Sequence, residues 1–353
     1  MYESSVVVVE EMKDLEIRKE EIAEVEPERN SEPKSQFAKL YKARSFLTQE
    51  ERRRRYLEHI KLHRSQNVDR MRGLDEVLSE DFDAEFMMEE LELSEEPMEV
   101  VAKNKKGKKK NKNKNKNRLH KKVMLSEWLL EKPSDLEENW VMKLCPIGRR
   151  CLVIAHNRRT AAYTKSGRHI RAFNSNFPGG NKSFYNSNNV FTVLDCIFNP
   201  EKECFFVLDL LAWNGISLRE ADVECRNFWL KSRFAETEEL KLISEQNNYP
   251  FYYVESFSFN ELRDQLSIPY NINGDCTIGL DGILFYIKEV PYIMRTTPLV
   301  GWLKPFMVRE VLELNVHESF EAPPDYTGMK EYVAQFEERS KQLRRRRKQQ
   351  TQC

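Results

Sequence analysis

The sequence predicts an α+β protein with one mostly antiparallel β domain, which follows a basic helix and a disordered, charged linker. Short runs rich in aromatic and β-branched residues fill the second half of the 353-residue chain, such as NVFTVLDCIF and CFFVLDLLAW. Turn signals such as FPGGN and WNG separate these runs, which is typical of antiparallel strands. The first half is charged, repetitive and poor in aromatic residues, so we expect it to add little to the core.

Composition excludes several classes of protein. The 57 basic and 57 acidic residues cancel, so net charge names no partner, although the charges lie in blocks. Seven cysteines without a C-x-x-C pair argue against a disulfide framework or a zinc ribbon. No apolar run is long enough to span a bilayer, and the N-terminus is a poor signal peptide. We therefore expect a soluble intracellular protein with no membrane association, metal or other cofactor.

The chain begins with a segment, residues 1–30, that carries spaced apolar residues in an acidic context. Val9, Met12, Leu15 and Ile17 recur at intervals of two or three. This spacing suits an amphipathic segment that docks into a groove of a partner protein. The alternative is a chance pattern in a disordered tail.

A basic helix is predicted within residues 31–75. Thr48 and Glu51 form a capping-box pattern at its start, and Gly73 suits its C-terminal end. Such a cationic helix should not bury itself in its own domain, because unpaired buried charge is costly. It favours an anionic partner, either a nucleic acid or an acidic protein; the alternative is a solvated surface helix. The cations that we expect to bind the partner are Arg52, Arg53, Arg54, Arg55, Lys61 and Arg64.

Two further charged segments lie on either side of the β domain, which we place at residues 123–320. An acidic stretch and the lysine- and asparagine-rich run KNKKGKKKNKNKNKN make up a linker at residues 76–122. Low complexity of this kind builds no core. Residues 321–353 read as a polar, basic tail that ends in RRRRKQQTQC.

The order of motifs in the β domain resembles that of the covalent nucleotidyltransferases, which include mRNA guanylyltransferases and polynucleotide ligases. The matching runs are CPIGRR before CLVIA, TVLDCIF, CFFVLDLLAWNG, DGILF and VGWLKP. The first motif of that family carries a lysine nucleophile, and here Cys145 stands in its place. Asp195 of the third motif is followed by Cys196 and Ile197 where the family has Gly and Glu. Since only an amine forms the phosphoramide, we expect a protein that is not an enzyme.

Aromatic and cationic residues near these motifs point to a nucleotide ligand. A guanine methylated at N7 is positively charged and is attracted to an indole face, which Trp128 or Trp302 could offer. Arg149, Arg150 and Lys165 could supply positive charge to a triphosphate. The alternative is that the tryptophans belong to the core, as we expect for Trp140, Trp213 and Trp229, which lie in apolar runs.

From about Ser35 to about Tyr326, apart from the linker, the sequence is similar to the snurportins. The resemblance lies in SFLTQEERRRRYLE, MLSEWLLEKPSDL, CPIGRRCLVIA, AYTKSG, FPGGN, DGILFY and TTPLVGWLKPFMV. It implies a nuclear import adaptor that shuttles between nucleus and cytoplasm. The β domain would bind the 2,2,7-trimethylguanosine cap of spliceosomal U snRNAs in their snRNPs. The basic helix would bind importin-β, and an exportin would recycle the adaptor, with residues 1–30 as its candidate contact.

The same resemblance implies roles for individual residues. Trp302 would stack on the cap base, Trp128 would flank its methylated edge and Ser126 would bond near the base. The other residues expected at the site are Arg149, Arg150 and Lys165 at the phosphates and Leu303 in the wall. Two alternatives stay open: a divergent guanylyltransferase that uses Lys165 as nucleophile, and an RNA-binding scaffold that ignores the cap.

Overall fold

The computed structural model describes residues 47–72, 122–183, 190–272, 274 and 278–350, without the side chains of residues 63, 65–72 and 343–350. Residues Gln49–Cys353 form one compact unit, and only Leu47 and Thr48 of the other unit are described. The predicted groove-binding segment at residues 1–30 and all but the last residue of the linker at 76–122 lie outside the described residues. Among the described helices, none combines the length and apolar character required to cross a membrane.

The described part of the chain alternates strands with a few helices. The helices are α1 (Gln49–Arg72), α2 (Leu136–Asn139), α3 (Val223–Glu236), α4 (Phe259–Leu266), α5 (Val308–Leu312) and α6 (Met329–Gln350). The first strands are β1 (Met124–Trp128), β2 (Trp140–Pro146), β3 (Arg149–His156), β4 (Arg159–Thr164), β5 (His169–Phe173) and β6 (Phe191–Asn199). The remaining strands are β7 (Cys204–Trp213), β8 (Ile216–Ser217), β9 (Phe251–Tyr253), β10 (Leu280–Ile287) and β11 (Arg295–Leu303). Short 3₁₀ turns span Glu238–Lys241, Pro305–Met307 and Glu318–Phe320.

The strands form two sheets, and most neighbouring strands are antiparallel. The first sheet has the order β1-β11-β10-β2, and the second has the order β5-β4-β3-β6-β7-β8, with β9 beside β7. Among the described strands, only the pairs β1–β11 and β7–β9 are parallel. The predicted α+β class with mostly antiparallel sheets is confirmed.

The central strands of the second sheet are buried on both faces. Every residue of β6 and β7 is buried, which explains their continuous apolar sequence. Aromatic rings fill the core on one side: Phe205 stacks on Phe251 with ring centroids 4.8 Å apart, and Phe173 lies 5.3 Å from Phe205. The aromatic runs seen in the sequence therefore mark the interior of the domain.

A tight turn joins β2 of the first sheet to β3 of the second. The backbone N–H of Ile147 donates to the carbonyl of Gly279, and the side-chain amide of Asn199 donates to the carbonyl of Ile147. A Cβ atom on Gly148 would lie 2.5 Å from Ile197 Cγ2 and 2.7 Å from the carbonyl oxygen of Phe198. Close packing therefore explains the glycine of the CPIGRR run.

Helix α1 begins on the β domain, which differs from the expectation that its charges stay out of the domain. The Gln49 side-chain amide donates to the carbonyl of Trp128, at 2.9 Å. Arg52 donates two hydrogen bonds to the carboxylate of Glu127, at 2.8 and 2.9 Å. The Arg53 Nε donates to the carbonyl of Pro298, and its guanidinium lies 5.1 Å from the ring of Trp140. Burial is tolerated here because these groups find partners.

The C-terminal region also differs from the sequence-based expectation of a tail. Residues 329–350 form helix α6, and Met329 and Val333 are buried. The Glu310 carboxylate accepts from the backbone N–H of Met329 and so fixes the start of this helix. Two apolar residues at a spacing of four suffice to attach one face of a helix, but in a polar sequence they give a weak signal.

Candidate functional site

Two tryptophans lie side by side at one end of the first sheet. Strand β1 runs parallel to β11, and Trp128 is the register partner of Trp302. Paired residues on neighbouring strands project to the same face of a sheet. Both side chains are partly exposed. The structure therefore brings together the two tryptophans that the sequence analysis assigns to a ligand.

The indole of Trp302 lies across strand β10, over Gly282. A Cβ atom at Gly282 would be 2.3 Å from Cζ2 and 2.6 Å from Cη2 of Trp302. Lys304 donates to the Asp281 carboxylate at 2.6 Å and to the Asp281 carbonyl at 2.9 Å. Its ammonium lies 5.7 Å from the centre of the indole ring. Asp281, Gly282 and Lys304 therefore orient the indole, and they belong to the DGILF and GWLKP runs.

Substitution of Gly282 by alanine is expected to displace the indole of Trp302. The added methyl group overlaps the ring and the Leu303 carbonyl, and overpacking of this kind costs about 1–3 kcal/mol. We expect a changed near-ultraviolet circular dichroism spectrum and a lower free energy of unfolding in urea. The matched control is Gly279→Ala, whose Cβ would meet only the flexible end of Ile147. Equal effects of the two substitutions would contradict the role given to Gly282.

Two of the predicted phosphate-binding cations lie at the same end of the second sheet. Arg149 is the first residue of β3, and Lys165 follows the last residue of β4. Cys151 pairs with Thr164 between these antiparallel strands, so the start of β3 adjoins the end of β4. Both side chains are exposed. Cys145 is the register partner of Gly282, over which the indole of Trp302 lies. The turn after Cys145 therefore connects the tryptophans to this end of the second sheet.

The third predicted cation, Arg150, points into the domain. Its guanidinium donates two hydrogen bonds to the buried carboxylate of Asp195, at 2.8 and 2.7 Å, and a third to the carbonyl of Met124. The Tyr292 hydroxyl donates to the same carboxylate, at 2.6 Å. Burial and the neighbouring Asp195 raise the pKa of Tyr292 well above its usual value, so the hydroxyl stays protonated. This pairing argues against the predicted phosphate contact of Arg150.

Leu303 is also placed away from the indole. It follows Trp302 in β11, and neighbouring residues of a strand project to opposite faces. Its side chain is fully buried. The geometry therefore argues against the prediction that Leu303 helps to line the site. Ser126 is partly buried at the irregularity of β1 between Leu125 and Glu127, two residues before Trp128.

A second buried ion pair lies beside the first. Asp209 of β7 is the register partner of Asp195. The guanidinium of Arg226 donates two hydrogen bonds to the Asp209 carboxylate, at 2.8 and 3.0 Å, and the Arg226 side chain is fully buried. The carboxylates of the runs TVLDCIF and CFFVLDLLAWNG are thus each paired with an arginine of the same domain.

The groups closest to the position of the missing nucleophile are poorly suited to attack a phosphate. Lys143, which no sequence motif marks as part of the site, is buried, and its ammonium donates to the carbonyl of Val254 at 2.9 Å. Burial lowers the pKa of Lys143 to about 8. Burial raises the pKa of the Cys145 thiol to about 12, so this group is not a thiolate at neutral pH. Neither side chain is exposed to a ligand.

The six cations assigned to a transport receptor separate into two groups. Arg52 and Arg53 contact the β domain through Glu127 and the carbonyl of Pro298. The other four side chains are exposed, namely Arg54, Arg55, Lys61 and Arg64. The first turn of α1 therefore lies next to Trp128, and the cations that follow are open to solvent.

The fold and the site define a binding domain of two sheets. Aromatic and cationic side chains are exposed on its surface, whereas the buried carboxylates form ion pairs with arginines of the same domain. Comparison with protein families adds the particular family. The model described as "Snurportin1, m3G cap-binding domain" matches residues 122–305, more than half of the chain. The chain belongs to this family.

The solved structures that resemble this chain include DNA ligases. The ligase domain of LigD from M. tuberculosis has 14% sequence identity and a TM-score of 0.33 over 51% of this chain and 58% of that chain. A structure described as a Lig E DNA ligase also has 14% identity and a TM-score of 0.33, over 51% of this chain and 67% of that chain. The match thus spans little more than half of the LigD ligase domain. Likeness at this level carries no argument about activity.

Proposed function

We propose that the domain binds the 2,2,7-trimethylguanosine cap of RNA. The observation that carries the proposal is the partly exposed indole of Trp302, which Gly282 braces from below beside the carboxylate of Asp281. A methylated, cationic guanine stacks on an indole through both dispersion and the ring quadrupole. The family match over residues 122–305 supports the same ligand.

The surrounding groups suit the rest of a cap. Trp128 lies next to Trp302 in the sheet and would flank the methylated edge of the base, with Ser126 nearby. Arg149 and Lys165 are exposed at the adjoining end of the second sheet and would face the triphosphate. The aromatic groups thus lie on the first sheet and the cationic groups on the second. This separation suits a cap, because its base is cationic and its triphosphate bridge is anionic.

The domain acts as a binder and not as a transferase in this proposal. Covalent transfer needs an exposed amine of lowered pKa. Lys143 has a lowered pKa but is buried, and Lys165 is exposed at a turn without a neighbouring Asp-Gly pair. A bound cap would therefore be held without a covalent bond.

The adaptor role extends the proposal to the rest of the chain. The four exposed cations Arg54, Arg55, Lys61 and Arg64 would bind the acidic surface of importin-β. Arg52 and Arg53 would join them only after leaving Glu127 and the carbonyl of Pro298. U snRNA in its snRNP would be the cargo, and an exportin would return the empty adaptor. The protein would then shuttle between nucleus and cytoplasm.

A titration of intrinsic tryptophan fluorescence tests the cap proposal. We expect the trimethylguanosine cap dinucleotide to quench the fluorescence at low concentration, the monomethyl cap to need more ligand, and GTP to have little effect, since GTP lacks the cationic base. Incubation with radiolabelled GTP followed by a denaturing gel should show no covalent adduct. Equal responses to the three ligands would contradict the proposal, and a labelled band would favour the guanylyltransferase alternative.

A further inference from the structure

Helix α6 extends the aromatic surface that begins at Trp128. The Trp128 ring meets Phe336 edge to face, with centroids 5.4 Å apart, and meets Tyr332 in the same way at 6.1 Å. Phe336 keeps 47% of its surface exposed, although exposed phenylalanine costs free energy in water. The cap contacts proposed for Trp128 and Trp302 do not account for the exposure of the Phe336 ring.

A shallow groove runs beside Phe336. Its lining residues are Asp325, Thr327, Tyr332, Gln335, Phe336 and Arg339. Tyr332, Phe336 and Arg339 recur at spacings of four and three, so they lie on one face of the helix. The groove therefore combines aromatic rings with carboxylate, amide, hydroxyl and guanidinium groups.

This combination matches the chemistry of an unpaired nucleotide. Single-stranded RNA is recognised by stacking of bases on aromatic or guanidinium planes and by hydrogen bonds to base edges. Phe336 offers the ring for stacking, Asp325 and Gln335 offer acceptors and donors for a base edge, and Arg339 offers charge to a phosphate. A purely electrostatic phosphate site would not place Asp325 in its lining.

Given the proposed cap site, on which this inference rests, we propose that the groove that α6 forms with Asp325 and Thr327 binds a nucleotide of the RNA just downstream of the cap. Continuity supports it, because Trp128 lies beside both Trp302 and Phe336. Charge supports it as well: α6 carries eight basic and three acidic residues, and its sequence after the groove reads RRRRK at residues 344–348. The RNA strand would leave the cap site along this helix.

An acidic protein is the competing occupant of a basic helix, but the groove favours RNA. An acidic peptide would pair with the arginines and would gain nothing from Asp325, which repels it. A nucleobase, in contrast, uses the ring of Phe336 and the carboxylate of Asp325 together. The groove residues therefore distinguish between the two occupants where the overall charge does not.

Binding of three labelled probes to the full-length protein tests the inference. The probes are the trimethylguanosine cap dinucleotide, a trimethylguanosine-capped pentaribonucleotide and the same pentaribonucleotide without a cap. We expect the capped pentaribonucleotide to bind more tightly than the dinucleotide. Phe336→Ala should weaken the capped pentaribonucleotide about fivefold or more, as expected for one lost stack, and should leave the dinucleotide unchanged.

Matched variants separate the groove from general effects. Phe228→Ala removes a phenylalanine that is 71% exposed on α3 and should change neither affinity. Arg339→Gln should reduce the salt dependence of capped pentaribonucleotide binding by about 0.7 in the slope of log K against log salt. Lys330→Gln removes an equal charge nine positions earlier, on the opposite side of the helix, and should leave that slope unchanged.

Several outcomes would overturn the inference. If Phe336→Ala binds the capped pentaribonucleotide as well as wild type does, the groove does not hold RNA, and cap binding stands. If Phe336→Ala weakens the dinucleotide and the pentaribonucleotide equally, α6 acts only on the cap site. The occupant is an acidic protein if polyglutamate binds wild type and not Phe336→Ala, while each capped probe binds the two proteins with the same affinity. If wild type binds neither capped probe, the cap proposal itself fails.

Discussion

Substitution of Trp302 by alanine is expected to weaken binding of the trimethylguanosine cap dinucleotide by roughly tenfold to a thousandfold. Loss of one base–aromatic stack costs about 1–3 kcal/mol, and loss of the cation–π attraction to a methylated base adds about 0.5–2 kcal/mol. The side chain is partly exposed and lies over Gly282, so its removal should alter the surface more than the core. Affinity is measured by isothermal titration calorimetry, because quenching would lose its main reporter.

Two variants serve as controls for this result. Trp302→Phe keeps a ring and should retain part of the affinity, because a phenyl group stacks but attracts a cation more weakly than an indole. Trp229→Ala removes a tryptophan on α3 whose ring packs against Arg233, at 5.2 Å, and should leave cap affinity unchanged. If Trp302→Ala binds the cap like wild type, the ligand lies elsewhere on the domain.

The largest expected loss of stability comes from breaking the buried pair of Asp209 and Arg226. Replacement of Asp209 by leucine leaves the guanidinium of Arg226, which is fully buried, without its carboxylate. Removal of one partner of a buried ion pair costs about 3–5 kcal/mol, because the remaining charge is neither solvated nor paired. Urea unfolding followed by circular dichroism at 222 nm measures this free energy.

The double variant Asp209→Leu, Arg226→Met identifies the cause of that loss. Since it leaves no unpaired charge, we expect it to be more stable than either single variant. Glu236→Gln on the same helix breaks the exposed pair with Arg233 and should cost less than about 1 kcal/mol. A single-variant cost as small as that of Glu236→Gln would mean that water reaches the pair.

The strands and the aromatic part of the site were readable from the sequence because both depend on local patterns. Continuous apolar runs marked the buried strands β6 and β7. The tryptophans of MLSEW and GWLKP stood apart from the apolar runs of the core, and the structure places them as register partners. Local patterns suffice here because the strand period and the turn residues are short-range properties.

The roles of neighbouring cations were not readable in the same way. Arg149 and Arg150 are adjacent in one motif, yet the first is exposed and the second pairs with Asp195, 45 residues later. Alternation along a strand places them on opposite faces. Which face is buried depends on the packing of the two sheets. The burial of Lys143 has no local signal for the same reason, because its only hydrogen-bond acceptor in the described structure, the carbonyl of Val254, lies 111 residues away.

The charged ends of the chain show the same limit. The cationic sequence of α1 predicts that this helix avoids the domain, but Glu127 and the carbonyl of Pro298 accept hydrogen bonds from its first arginines. The polar, basic sequence of residues 321–353 predicts a tail, but Met329 and Val333 attach helix α6 beside Trp128. Neither contact has a local signature, since a few spaced residues decide it.

The sequence by itself determined the α+β class and the order of the motifs. It also identified the two tryptophans of the site and the loss of the lysine nucleophile, because periodicity, turn chemistry and residue type are local quantities. Only the tertiary structure decided which cations face solvent, how Gly282 orients Trp302 and why Phe336 lies beside Trp128. These features depend on contacts between residues that are distant in the sequence. The free-energy cost of burying a charge is offset only where a partner group lies close by in space. The packing of the two sheets and of helices α1 and α6 sets the position of that partner.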